Sequence, residues 1–285
     1  MTEDIFFNPD FDLELFRKAN KSPPAKKNYI IYFTPRSGSS WLGDVLHNSQ
    51  KFGTPGEWLN PDIMPKAVKS INANNAKNYF AMLRRRLKTG DVFGMEVTYF
   101  QLNRVFPNNS NFFDIFRPNC PSFFLIREDI VGQAISLAKA VQTKIFHAPF
   151  SSGADILEAD STFSYDKEAI LQWLKHIRSM EEKTEIFFDE FNVKPIGLTY
   201  EGITQKGALM VANAFAKRLD VKEIDEHTIG SRHIKIATEL NSDFAERFRK
   251  DCRNLLVEIH ASRAKLLATT KASQDLFFRK LAKVK

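Results

Sequence analysis

Four short apolar runs punctuate the chain, and after each the apolar residues recur at the spacing of a helix. Asn28 to Thr34, Val92 to Val97, Ser122 to Arg127 and Pro195 to Thr199 have the length and the β-branched or aromatic content of buried strands. Helices are expected over roughly Ser39 to Ser49, Val131 to Ile145, Asp166 to Glu190 and Thr204 to Leu219. Strands that alternate with helices must lie parallel, because each crossover returns the chain to the same end of the sheet. The expected fold class is therefore α/β, a P-loop-like three-layer α/β/α domain with a mostly parallel sheet and a helical C-terminal extension. Ser22-Pro23-Pro24 sets residues 1–27 apart as an N-terminal arm, 28–250 form the main domain, and 251–285 read as a basic helical tail. Ala148 to Ser164, small and polar around Pro149 and Ser151-Ser152-Gly153, reads as a surface loop or lid. No internal repeat is visible.

Composition narrows this only slightly. A chain of 285 residues with 43% hydrophobic content can bury one large core. Two cysteines, Cys120 and Cys252, make no disulfide framework and lack metal-ligand spacing. No charged-then-apolar leader follows Met1 and no apolar run approaches ~20 residues, so the expectation is a cytoplasmic, reduced protein. The formal charge of +7 is concentrated at one end: from Ser231 onward there are 13 Lys and Arg against 6 Asp and Glu. In that stretch Leu255, Ile259, Leu266 and Leu267, then Leu276, Phe277 and Leu281, fall near helical spacing. Basic amphipathic helices result, read first as solvated outer faces of packing helices and second as a peripheral contact with an anionic membrane. Nucleic acid is not expected, since no zinc-finger, RNA-recognition or basic-zipper signature accompanies the charge.

The candidate chemistry starts where the first strand stops. Thr34-Pro35-Arg36-Ser37-Gly38-Ser39-Ser40-Trp41-Leu42 carries the chain from a strand through a turn of small residues into a helix, whose first N–H groups are free to hold an anion. The nucleotide-triphosphate version would need Gly-x-x-x-x-Gly-Lys-Ser/Thr. Here the cation is Arg36, before the glycine, and no Lys follows. A second anion holder is suggested at the end of the third strand, where Arg127 is followed nine positions later by Ser136 on the next helix. An Arg at a strand end can equally make an ordinary salt bridge. In parallel sheets ligands gather beyond the carboxyl ends of the strands, so both turns should open on one cleft. Two phosphate holders there imply a nucleotide with phosphates at both ends.

Three stretches in register carry a resemblance to a known family: Thr34 to Leu42; Gly53-Thr54-Pro55-Gly56-Glu57-Trp58; and Arg127 to Ser136, continuing to Thr143. Over roughly Asn28 to Lys250 the chain resembles the bacterial carbohydrate sulfotransferases, which include trehalose, Nod-factor and lipopolysaccharide sulfotransferases. The resemblance implies a donor, 3'-phosphoadenosine 5'-phosphosulfate (PAPS), released as PAP, with no metal, and a carbohydrate or glycolipid acceptor. It places Thr34, Pro35, Arg36, Ser37, Gly38, Ser39 and Ser40 in the 5'-phosphosulfate loop, Arg127 and Ser136 at the 3'-phosphate, and Glu57 at the general base. Lys235 to Arg249 resembles loosely a further stretch that approaches the donor. Members of the family associate through exchanged segments, which implies a homodimer with the Ser22 to Lys27 arm and the basic tail as contacts. One departure stands out: Gly94-Met95-Glu96 replaces the family's common Gly-x-Lys, so an acid stands where a cation is expected. Ile236-Ala237-Thr238 likewise replaces a Gln-Ala-Asp run.

These residue types suit sulfuryl transfer. Its loose in-line transition state asks a protein mainly to position reactants and stabilise charge, which Arg36 and the loop N–H groups would do at the leaving phosphate. Glu57 would take the proton of the acceptor hydroxyl. Other uses stay open: Glu57 as a loop carboxylate bonded to backbone, the serines as helix caps, Arg127 in a structural pair. Glu96 is a rival base, an acceptor-site residue or a partner of Arg36. His147 is a further acceptor-site candidate, and His47 a lone helical histidine. Phe100, Phe112, Phe113, Phe123 and Phe124 are core or a platform for adenine or sugar. The alternatives to the enzyme are a P-loop-like kinase or other phosphotransferase, and a non-catalytic module holding an anionic nucleotide or lipid.

Overall fold

The computed structural model describes residues 5–146, 153–225, 229–231 and 238–279, without the side chains of 153–157. In chain order the elements are α1 Leu13–Asn20, β1 Lys27–Phe33, α2 Ser39–Asn48, α3 Met64–Ser70, α4 Ala76–Arg86, β2 Val92–Val97, α5 Tyr99–Val105, α6 Ser110–Phe113, β3 Ser122–Ile126, α7 Ile130–Thr143, α8 Gly153–Thr162, α9 Lys167–Glu190, β4 Ile196–Thr199, α10 Tyr200–Lys206, α11 Ala208–Leu219, α12 Glu239–Asp251 and α13 Arg253–Arg279. The four strands form one parallel sheet in the order β2-β1-β3-β4. The sheet reverses its winding between β1 and β3, so the loops after these two strands flank a crevice.

Alternation along the strands explains the layers. Tyr32, Phe93, Met95, Phe124 and Ile126 face a cluster completed by α4 and by Phe187 and Phe188 of α9. Tyr29, Ile31, Phe33, Phe123 and Leu198 face the opposite cluster with Leu42, Val45 and Leu46 of α2 and Val211 and Phe215 of α11. Successive side chains of a strand point to opposite faces, so two apolar faces require helices on both sides. A third cluster joins α7, α9 and α12 through Ile135, Leu174, Ile177 and Phe248.

Two expected elements differ. Of the stretch read as a surface loop or lid from Ala148 to Ser164, residues 148–152 lie outside the described residues and Gly153–Thr162 form α8, whose end is fixed by the buried Ala159 and by Phe163 just beyond it. Tertiary burial outweighed the turn-forming residues ahead of it. The helix expected over Thr204 to Leu219 is two helices, because Thr199 caps α10 by accepting from Gly202 N at 3.1 Å and Gly207, with φ 80°, interrupts the run.

The described parts of both terminal segments pack on the body. The arm is held by Phe6 in the core, by Asn8 donating to the carbonyl of Ala73 at 3.1 Å, and by Arg85 donating to the carbonyls of Ser22 and Asn20 at 2.7 and 3.2 Å. The described part of the tail is dominated by one 27-residue helix, α13, lying along the edge strand β4. Ser273 Oγ accepts from Gly197 N at 3.0 Å and Gln274 Oε1 from Thr199 N at 2.8 Å, so α13 satisfies the outward N–H groups of that edge. No described helix is long and apolar enough to cross a membrane.

Candidate functional site

The turn after β1 has the conformation its sequence foreshadows. Arg36 and Gly38 both have positive φ, 64° and 86°, and Ser37 N closes the bend on the carbonyl of Thr34 at 3.2 Å. Gly38 is the N-cap of α2 and has no side chain with which to cap it, so the first-turn N–H groups lack a side-chain partner. At Gly38 a Cβ would fall 2.2 Å from Cδ2 of Tyr200, whose ring lies over the turn. Gln133 on α7 fastens the turn from below, donating to Thr34 Oγ1 at 2.9 Å and to the carbonyl of Pro35 at 2.7 Å. Ser37 Oγ is buried and has no hydrogen-bond partner.

Arg127 leaves the end of β3 on the same side. Its guanidinium sits 5.5 Å over the Tyr200 ring, and its Nε lies 3.6 Å from Glu201 Oε1, buried and without a hydrogen-bond partner. Ser136, on the inner face of α7, accepts from Arg36 Nε at 2.9 Å, while Arg36 Nη1 donates to the carbonyl of Phe146 at 2.6 Å. Burial and the neighbouring positive charge of Arg127 lower the Arg36 pKa to about 10. The guanidinium therefore remains charged at neutral pH, and two cations that repel each other share one pocket. An anion between them would relieve that repulsion.

The shared pocket is a cavity of about 880 Å³. Pro35, Arg36, Gly38, Ser39, Ser40, Arg127, Ser136 and Glu57 all line it. Thr34 and Ser37 lie buried in the turn beneath it. Glu57 reaches the wall from the loop between α2 and α3, with one oxygen, Oε2, accepting from Asn60 Nδ2 at 3.0 Å and from Gln101 Nε2 at 2.7 Å. Part of the wall is aromatic: Phe100 stacks on His176 with centroids 5.2 Å apart, and Trp173 meets His176 edge-on at 5.6 Å. Burial and the charge of Lys183 lower the His176 pKa, so its ring is neutral at neutral pH.

Several sequence candidates lie elsewhere. Glu96 is 4% exposed and does not line the cavity; its Oε1 fits a notch at Gly43 of α2, where a Cβ would stand 2.6 Å away, and has no hydrogen-bond partner. Burial first, then the charge of Glu57, hold its pKa well above the usual carboxylate range. The alternative in which Glu96 pairs with Arg36 or another cation of the cleft is not seen among the described residues: Arg36 is engaged by Ser136 and by the carbonyl of Phe146. His47 contacts Thr54 Oγ1 at 3.3 Å, away from the cavity wall. Phe112, Phe123 and Phe124 are core, whereas Phe100 lines the cavity. His147 and residues 232–237 lie outside the described residues, while Arg249, from the end of the loosely matched stretch, pairs with Asp129 at the N-cap of α7 at 2.8 Å. Among the described residues no group of three or more His, Cys, Asp or Glu could hold a metal ion.

Tyr200, Trp173, His176, Asn60 and Gln101 were not singled out from the sequence. Tyr200 had a usable signal, since it follows the last residue of a predicted strand, where ligands gather in such sheets. Trp173 and His176 had none: their spacing on α9 is that of any amphipathic helix.

Two comparisons with known proteins give a match. A family model described as Stf0 sulphotransferase matches residues 28–251. A curated protein, trehalose 2-sulfotransferase of Mycolicibacterium smegmatis, is 27% identical over 132 residues, which is 45% of this chain and 45% of that protein. The match thus spans less than half the length of this relative.

Proposed function

Starting from the fact that the chain belongs to the Stf0 sulphotransferase family, we propose that it moves the sulfuryl group of PAPS to a hydroxyl of a carbohydrate or glycolipid. The observation that carries this reading is the convergence of Arg36 and Arg127, from two neighbouring strand ends, on one cavity. A nucleotide phosphorylated at both ends suits two grips whose buried Ser37 Oγ and Arg127 Nε lack protein partners. The turn from Thr34 to Ser40 with Arg36 would hold the 5' end, and Arg127 with Ser136 the 3'-phosphate. When bound, the donor supplies an activated sulfuryl group.

The rest of the work falls to this chain. Arg36 and the uncapped first turn of α2 stabilise charge that grows on the leaving phosphate, an effect of about 3–4 kcal/mol per well-aimed donor. Glu57 accepts the proton of the acceptor hydroxyl; Asn60 and Gln101, both donating to Oε2, fix the carboxylate and leave Oε1 for that proton. Glu96 is not assigned as base, since it is buried beside α2 rather than at the wall. The ring wall of Phe100, Trp173 and His176 offers a platform for the apolar face of a sugar. His147 remains a proposed acceptor-side residue.

The test is incubation with radiolabelled PAPS and a panel of sugars, trehalose included, and glycolipids, with the labelled product identified by mass spectrometry. Glu57→Gln is expected to bind PAP as the wild type does and to lose roughly 10²–10⁴-fold in turnover. Absence of sulfation across the panel together with magnesium-dependent phosphate transfer from ATP would point instead to a phosphotransferase.

A further inference from the structure

Arg263 is among the largest side chains in the molecule with no exposed surface, and it belongs to α13, beyond the residues the family model covers. Its partner Glu181 on α9 is equally buried, accepting from Nε at 2.8 Å and from Nη2 at 2.7 Å. Stability alone gives little reason for such a pair, because an apolar pair of similar volume serves as well or better. What an apolar pair lacks is donors. Arg263 Nη2 also donates to the carbonyl of Arg127 at 2.7 Å, and Nη1 to that of Glu128 at 3.1 Å.

The segment so held is the root of one anion grip. Its opposite side is held too: Glu201 accepts from the N–H groups of Glu128 and Asp129 at 2.9 and 3.4 Å, and the Glu128 carboxylate meets Thr199 Oγ1 and Lys271 of α13. The guanidinium of Arg127, by contrast, has no hydrogen bond at its Nε and its nearest carboxylate is 3.6 Å away. A side chain kept available for a ligand in this way depends on its backbone for aim. Resting on the proposed 3'-phosphate role of Arg127, we propose that Arg263 is a positioning residue, anchored by Glu181, which fixes the end of β3 so that Arg127 reads the 3'-phosphate of the nucleotide.

The test compares two nucleotides on the full chain by calorimetry: PAP, and AMP, which lacks the 3'-phosphate. Arg263→Lys, and the paired variant Glu181→Leu with Arg263→Met, which leaves no lone buried charge and so keeps the fold, are expected to lose roughly 10- to 100-fold in PAP affinity. AMP affinity should stay within about twofold of wild type, as expected where no partner of the site is shared. Added to Arg127→Ala, the Arg263→Lys change should produce little further loss of PAP affinity. Variants that still favour PAP over AMP as strongly as a discriminating wild type overturn this inference alone, as do equal losses for both nucleotides or additive losses with Arg127→Ala. A wild-type chain that binds PAP and AMP equally overturns the nucleotide reading itself, and this inference with it.

Discussion

At the scale of single residues, Gly38 and Glu96 are fixed by what surrounds them rather than by their own chemistry. Gly38 combines a left-handed backbone with the Tyr200 ring at 2.2 Å from where a Cβ would stand. Gly38→Ala is expected to cost about 1–2 kcal/mol for the backbone conformation alone, and to weaken PAP binding in titrations. Adding Tyr200→Ala should recover only the steric part. For Glu96 the native pKa lies above its unfolded value, so the folded form holds the proton more tightly; the stability linked to it is complete below the unfolded value of 4.5 and is lost as pH rises through the native value. Glu96→Gln should therefore melt higher than wild type at pH 8, by roughly 2–4 °C for each kcal/mol relieved, with the difference closing in acid. A melting curve unchanged at pH 8 would refute this. The turn after β1 was legible residue by residue because strand, bend and helix are contiguous there. Tyr200 over Gly38 was not, since the contact joins positions more than 160 apart and only folding brings them together.

At the scale of elements, the strands were readable from their short apolar runs, and β2 lies where its run predicts. The helices were less so where burial or a single glycine decided, as at α8 and between α10 and α11. The tail is the clearest case: sequence spacing indicated amphipathic helices with a basic outer face, yet nothing in it revealed which strand they cover. Along β4, Gln274 accepts from the buried Thr199 N and also fills the space beside Gly202. Gln274→Ala is expected to destabilise the fold by about 1–3 kcal/mol through the N–H left unpaired. Urea titration checks this, and a change confined to the slope rather than the midpoint would contradict it.

At the scale of the whole molecule, one cavity gathers residues from β1, α2, α5, α7, α9 and α10, with Arg127 from just beyond β3 and Glu57 from a loop. That Arg36 and Arg127 open on one cavity was inferable, because parallel topology brings strand ends together whatever the sequence between them. The aromatic wall and the Arg263 contact were not, since each depends on how long helices slide into place. Chains ended after residue 251 retain the whole family match but lose α13, and with it Leu266, Phe277 and Phe278 from the two sheet-facing clusters. Such chains are expected to aggregate on expression rather than to fold, which a soluble, cooperatively melting product would disprove. The bond from Arg36 to Ser136 leaves the hydroxyl a hydrogen to give, since Oγ accepts from the guanidinium and can still donate. On the proposed reading a phosphate arriving at Ser136 joins that bond rather than breaking it, so one small side chain relays the occupancy of either grip to the other.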